Sequence, residues 1–243
     1  MKKRIDLLLL ERGMVDSRAK AQALILSGNV LVADVPVTKP GQLVSDELPL
    51  RIRGEDHPWV SRGGIKLAGA LKEFQIPVKG RTALDVGAST GGFTHVLLAN
   101  GIERVFAVDV GHNQLDWKIR SDERVSVYEK VNARHMTPDL IGRQVDLIVV
   151  DVSFISLEKI FPALMAFAHA ETDWVTLIKP QFEVGKEKVG KGGLVSSDSD
   201  REDAVKRLTD FGETLGLRRL GLIESPITGA TGNKEYLAHW RKA

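Results

Sequence analysis

The sequence predicts an α/β fold, a mostly parallel sheet with helices on both sides, preceded by a small α+β module. Three observations predict it. From residue 63 onward, short apolar runs alternate with stretches of helical periodicity. The first of those runs leads into a glycine-rich loop, Gly87 to Gly92. The residues before them carry their own pattern of two helices followed by short strands. A length of 243 residues suits one to two domains with a sizeable core. Hydrophobic residues at 43% and charged residues at 27% point to neither disorder nor membrane residence. With no cysteine, a disulfide scaffold, Cys-ligated zinc, an iron–sulfur cluster and thiol catalysis are all excluded, and a reducing compartment fits.

In chain order, Ile5, Leu8, Leu9 and Met14 predict a short amphipathic helix. Asp16-Ser17 offers the N-cap of a second helix running through Ala19, Ala23, Leu24, Ile25 and Leu26, with Gly28 as its stop. Val30 and Val32, the polar Ala33-Asp34, Val35 and Val37, the turn Lys39-Pro40-Gly41, then Leu48 and Leu50 predict a small β-meander. The apolar run Leu7 to Leu10 is shorter than the roughly 7–15 residues of a signal h-region. Nowhere does the chain approach the roughly 18 apolar residues of a spanning helix. A cytoplasmic protein, away from membranes and monomeric or weakly dimeric, is expected. The net charge is only +2, yet ten Lys and Arg stand against eight Asp and Glu up to Arg62, and 24 against 24 after it. All the positive excess therefore lies in the first quarter.

The spacing Ser17-Arg18, Ala21, Leu24-Ile25, Gly28, Val30, Val32, Val37 and Lys39-Pro40-Gly41 resembles the S4 RNA-binding domain. The resemblance implies that the second helix and the following turn lie against RNA phosphates, engaging Arg4, Arg18, Lys20 and Lys39; Arg62 joins this RNA-binding set. Where that family often has Asn-Gly, this chain has Ala33-Asp34. The alternative is a set of solubilising charges on an exposed face. Residues 1–56 thus form the expected S4-like domain. Residues 57–62, His57-Pro58-Trp59-Val60-Ser61-Arg62, read as a linker that Trp59 pins to one domain face, and 63–243 form the second domain.

That second domain opens with a helix through Leu67, Ala70, Leu71 and Phe74. Strands are expected at 82–86, 105–108, 125–128, 145–150 and 174–178, with helices at 93–99, 157–168 and 204–215. Leu147-Ile148-Val149-Val150 suits a strand buried on both faces. The last strands, near 220–224 and 234–240, follow each other without a helical pattern and predict an antiparallel hairpin at the sheet edge, making seven strands in all.

Glycines 87, 91 and 92 let the backbone approach a ligand between a strand and a helix N-terminus. A Walker A loop is excluded because Phe93 stands where Lys meets the phosphates, and a dinucleotide fingerprint because Ser89 stands where Gly is needed. Asp85 disfavours pyrophosphate and suits a sulfonium or an amino group. Asp109, 24 residues later, suits the acid that accepts ribose hydroxyls, which lies about 20 residues on. An adenosine ligand without phosphates, S-adenosylmethionine, is favoured over a tight turn with incidental acids. Asn132 joins the cofactor set of Asp85, Gly87, Ser89, Gly91, Gly92, Phe93 and Asp109. His95, His112, His135 and His169 lack metal-ligand spacing, and no metal is expected.

The segment Asp85-Val-Gly-Ala-Ser-Thr-Gly-Gly-Phe-Thr94, with Val149-Val-Asp-Val-Ser-Phe-Ile-Ser156, Leu177-Ile-Lys-Pro-Gln-Phe-Glu183 and Gly232-Asn-Lys-Glu-Tyr236, resembles the FtsJ-type ribose methyltransferases, most closely the TlyA (hemolysin A) family, over the whole chain. The resemblance implies a Rossmann-like class I methyltransferase fold and 2′-O-methylation of ribosomal RNA, free or in ribosomal subunits, with cytidine as target. It also implies a catalytic tetrad, which falls on Lys66, Asp151, Lys179 and Glu235. From the residues themselves, Asp151 and Lys179 each follow a buried run and so sit at the carboxyl edge of the sheet. Glu235 opens an antiparallel last strand at the same edge, and Lys66 starts the helix before the first strand. We expect Lys179 as general base, its pKa depressed by desolvation and by Lys66, Lys66 positioning the nucleoside, and both carboxylates holding Lys179. The basic loop 185–193 either folds over RNA or cofactor or is an ordinary insertion. Two other functions stay open: a membrane-active hemolysin, for which no secretion signal or membrane-active segment is visible, and a non-catalytic RNA-binding protein with a retained cofactor cavity.

Overall fold

A computed structural model describes residues 2–15, 17–52, 57–229 and 231–243; Asp16, half of the expected N-cap, and residues 53–56 at the expected domain boundary lie outside them. The chain divides into two compact units, Met1–Pro58 and Trp59–Ala243.

The first unit runs β1 (Lys2–Arg4), α1 (Ile5–Glu11), α2 (Arg18–Leu26), β2 (Val30–Val32), β3 (Val35–Val37), β4 (Leu43–Ser45) and β5 (Leu50–Ile52). Ser17 caps α2 by accepting from Lys20 N, an interaction worth about 1 kcal/mol. Gly28, with φ of 72°, turns the chain out of the helix. Ala33 and Asp34 both take positive φ, so the β2–β3 turn is a two-residue loop whose twist matches its strands despite lacking Asn-Gly. The expected meander is corrected. β2 pairs with β3 on one side and β5 on the other, while β4 leaves to pair with β1. Pro36 in β3 has no N–H for a further strand, so β3 is an edge and β4 finds its partner elsewhere. The pair of helices closes over Ile5, Leu9, Ala21, Ile25 and Val30, all without exposed surface.

The second unit runs α3 (Gly63–Glu73), β6 (Thr82–Val86), α4 (Gly92–Ala99), β7 (Arg104–Val108), α5 (Trp117–Arg120), β8 (Val125–Tyr128), β9 (Val145–Val150), α6 (Phe161–Leu164), β10 (Ala168–Ile178), α7 (Pro180–Glu183), α8 (Asp198–Thr214), β11 (Leu217–Glu224) and β12 (Tyr236–Lys242). Its seven strands are ordered β11-β12-β10-β9-β6-β7-β8. β12 is antiparallel to both neighbours, and the pairs among β10, β9, β6, β7 and β8 are parallel. Along β9, Leu147 and Val149 pack with α3 and α4, whereas Ile148 and Val150 pack with α6 and α8. That two-sided burial is why the run is continuously apolar. The helix expected over 157–168 is broken into α6 flanked by two 3-10 turns, because Pro162 cannot donate to a preceding turn.

Residues 59–62, read as linker, belong to the second unit. Val60 N donates to His95 Nδ1 at 3.1 Å, and the Trp59 ring meets His95 edge-on. A Cβ on Gly64 would lie 2.3 Å from Trp59, so glycine is what lets the indole pack on α3. The carboxyl ends of β6, β9 and β10 share one edge of the sheet, and antiparallel β12 starts at that edge.

Candidate functional site

Two adjoining cavities of about 400 and about 470 Å³ open at this edge and share Gly87, Ser89 and Asp151 as walls. The loop after β6 is tied down by Gly87 N and Ala88 N, both donating to Val108 O. Gly87 has φ of 84°, and a Cβ there would stand 2.3 Å from Asp151 O, so the loop can pass this close to β9 only as glycine. Gly91, with φ of 98°, caps α4, and Gly92 begins it. Ser89, Gly92 and Phe93 line the first cavity; Asp109 and Asn132 line the second. Asp109 is oriented by two amides, with Oδ2 accepting from Ser89 N at 2.7 Å and Oδ1 from Gly111 N at 2.6 Å.

Asp85 departs from expectation. It lines neither cavity, is wholly buried, and accepts from Thr94 Oγ1 at 2.6 Å while its Oδ1 has no hydrogen-bond partner. Burial pushes this carboxyl up to about 7, against the pull of Thr94. The strand alternation that aims Val86 and Leu84 at one core turns Asp85 under the loop instead of into the cavities.

The four charged residues form two ion pairs. Lys66 Nζ lies 2.5 Å from Glu235 Oε2, and both side chains are buried. Lys179 Nζ lies 2.6 Å from Asp151 Oδ1 and donates to Ser153 Oγ at 2.8 Å. The expectation that both carboxylates hold Lys179 is thus corrected: Glu235, entering from the start of β12, meets Lys66 on α3. A side chain at Gly229 would strike Glu235, so this glycine leaves room for the pair. Lys66 and Asp151 line the first cavity, as does Arg62, whose Nη2 donates to Thr228 O.

In the first unit, Arg4 and Arg18 converge on one carboxylate. Asp6, without exposed surface, accepts from Arg4 Nε and Nη2 at 3.0 and 2.9 Å and from Arg18 Nε at 3.0 Å. The Arg4 guanidinium holds Asp6 well below the usual carboxylate range. Both arginines remain about half exposed, at 42% and 52%, and one positive charge of the trio is left over. Lys20 and Lys39 are exposed. In the second unit, the basic segment at 185–193 forms two 3-10 turns, and Lys188 pairs with Asp200.

Two residues at the site escaped the sequence reading. Ser153 is the second partner of Lys179. Phe154, at φ of 65° and 90% exposed, stands on the rim of the second cavity against Phe182, offering an aromatic face of the kind on which unpaired bases stack. Both lie in the motif quoted above, but a left-handed phenylalanine has no sequence signal. Among the described residues no cluster of potential metal ligands occurs, and no helix is long and apolar enough to cross a membrane.

The strand order, the single reversed strand and the glycine loop at the carboxyl edge define the second unit as a Rossmann-like methyltransferase fold. A methyltransferase structure from Listeria monocytogenes, at 12% identity and TM-score 0.57, shares that fold over 75% of this chain. Residues 59–242 match the FtsJ-like methyltransferase family and residues 3–48 match the S4 domain; the chain belongs to the FtsJ-like methyltransferases. It is 47% identical over 234 residues to the 16S/23S rRNA (cytidine-2′-O)-methyltransferase TlyA of Mycobacterium tuberculosis, covering 96% of this chain and 87% of that one. It is 41% identical to Hemolysin A of Brachyspira hyodysenteriae, over 98% of this chain and 99% of that one. A structure of a candidate hemolysin from Streptococcus thermophilus, 41% identical, matches with TM-score 0.79 over 100% of this chain and 89% of that one.

Proposed function

We propose that the chain uses S-adenosylmethionine to methylate the ribose 2′-hydroxyl of cytidine in ribosomal RNA, in the cytoplasm, as a monomer or weak dimer. The observation that carries this reading is the placement of two lysine–carboxylate pairs at the sheet edge where two cavities meet around Gly87 and Asp151. The relative TlyA bears this specificity in its name.

The cavities fit the cofactor. Their shared wall admits an elongated ligand, and the glycine at 87 gives its backbone room to approach. Asp109, fixed by two amides, keeps lone pairs for ribose hydroxyls and would repel a pyrophosphate. Asn132 and Val110 wall the same cavity, while Ser89 and Phe93 line the other. When bound, S-adenosylmethionine supplies an electrophilic methyl group. A ribose hydroxyl becomes the nucleophile by giving up its proton, and Lys179 in its neutral form, having first released a proton to solvent, is the acceptor. Asp151 and Ser153 hold its nitrogen in place. Lys66, anchored by Glu235, faces the first cavity and orients the nucleoside. Arg4 and Arg18 around Asp6, with Lys20, Lys39 and Arg62, supply phosphate contacts for the RNA.

The test is transfer of a tritiated methyl group from the cofactor to rRNA or ribosomal subunits. Lys179→Ala should lose at least about 10²-fold in kcat while still binding S-adenosylmethionine. Full activity in that variant contradicts the role.

A further inference from the structure

Lys179 and Asp151 both stand on irregular backbone. Lys179 links β10 to the four-residue helix α7, and Asp151 heads the segment 151–156, which contains neither strand nor helix. Something must keep these two short segments in register. Three contacts do so, spaced along one turn of chain. Lys179 Nζ meets Asp151 and Ser153 at one end. The Phe182 ring lies 5.1 Å from that of Phe154 in the middle. At the other end stands Glu183, only 4% exposed, whose Oε2 accepts from Ser156 Oγ at 2.6 Å and Oε1 from Leu157 N at 3.0 Å. Arg207 on α8 anchors the same place, donating to Glu183 O and to Glu158 Oε1.

Burying a carboxylate is costly, and here it pushes the Glu183 carboxyl up against the pull of its hydrogen bonds. Packing alone calls for an apolar side chain at this position. A carboxylate, by contrast, offers two acceptors side by side, matching the hydroxyl and amide donors that the arch 151–157 presents.

We propose that Glu183 is a positioning residue for the methyl transfer, stapling the arch that carries Asp151 and Ser153 so that Lys179 stays fixed against Asp151, which walls both cavities. The proposal rests on the methyltransferase reading above and extends it to a residue that touches neither cavity.

The test uses the full chain with Glu183→Ala, Glu183→Gln and Ser156→Ala. It reads amide hydrogen exchange over 152–158 and the single-turnover rate of methyl transfer per cofactor-binding site. In Glu183→Ala, exchange over 152–158 should rise at least about tenfold while β6 and β9 keep their protection. The rate per site should fall at least about 30-fold, since small misplacements of reacting groups are that costly. Glu183→Gln keeps an acceptor for Leu157 and can donate to Ser156 Oγ, so its rate should stay within about fivefold of the parent. Ser156→Ala, a milder change that leaves the Leu157 bond, should shift both readouts in the same direction as Glu183→Ala. Unchanged exchange over 152–158 in Glu183→Ala overturns the proposal, as does a rate per site within about twofold, the size expected of a purely structural role. A Glu183→Gln variant as impaired as Glu183→Ala also overturns it. If Glu183→Ala does not fold, an unaltered Ser156→Ala overturns it alone. If the parent protein transfers no methyl group, the methyltransferase reading fails, and the exchange data still decide whether Glu183 holds the arch.

Discussion

At the scale of single residues, the site combines two kinds of charged group. Lys66–Glu235 and Lys179–Asp151 are paired, whereas Asp85 is buried with one oxygen unpartnered. The consequence for Asp85 is a pH dependence. An unfolded carboxyl titrates near 4, while the folded one is pushed up to about 7. Between those values the folded chain holds a proton that the unfolded chain has released, so Asp85 makes stability fall as pH rises through that window. Asp85→Asn removes the titration. Urea unfolding should show the parent losing about 3 kcal/mol relative to this variant between about pH 5 and about pH 8. Parallel pH profiles would show that Asp85 titrates as an ordinary exposed acid.

At the scale of elements, the glycine loop between β6 and α4 is held by geometry that a single methyl group disturbs. Gly87→Ala places a Cβ within 2.3 Å of Asp151 O and in a strained left-handed conformation. The loop must withdraw from β9, and calorimetry should find S-adenosylmethionine binding weakened at least about tenfold, with stability lowered by about 1 kcal/mol or more. Much of this architecture was legible in the sequence. The bounds of β6, β8 and β9 follow from apolar runs flanked by polar residues, and the glycine loop announced where the cavities open. Other parts were not. β1 is Lys2-Lys3-Arg4, which carries no apolar period and becomes a strand only because β4 needs a partner. Pro162 breaks a helix that periodicity alone extends. The edge that gathers Lys66, Asp151, Lys179 and Glu235 could be inferred from strand ends. Which lysine meets which carboxylate could not, because that depends on how far β12 carries Glu235 toward α3. Nor does any pattern mark Glu183 as buried, since Gln181 and Glu183 look like ordinary polar positions after Pro180.

At the scale of the whole molecule, a net charge of +2 conceals a division of labour. The proposed RNA grip is concentrated in a small unit in which Arg4 and Arg18 meet one buried acid. Lys39 tests that grip without disturbing the Asp6 cluster. Lys39→Gln should weaken rRNA binding about equally for all sequences and lower the slope of log affinity against log salt by about 1. An unchanged slope would place Lys39 away from phosphate. The central claim is that this chain puts a methyl group on the 2′-oxygen of cytidine in ribosomal RNA. Its most direct test is a map of 2′-O-methylation on rRNA from cells lacking the protein, compared with the same cells carrying the parent chain or Lys179→Ala. The account predicts that at least one 2′-O-methylcytidine disappears with the protein, returns with the parent chain and does not return with Lys179→Ala. Ribose methylation that is the same in all of these cells would contradict it.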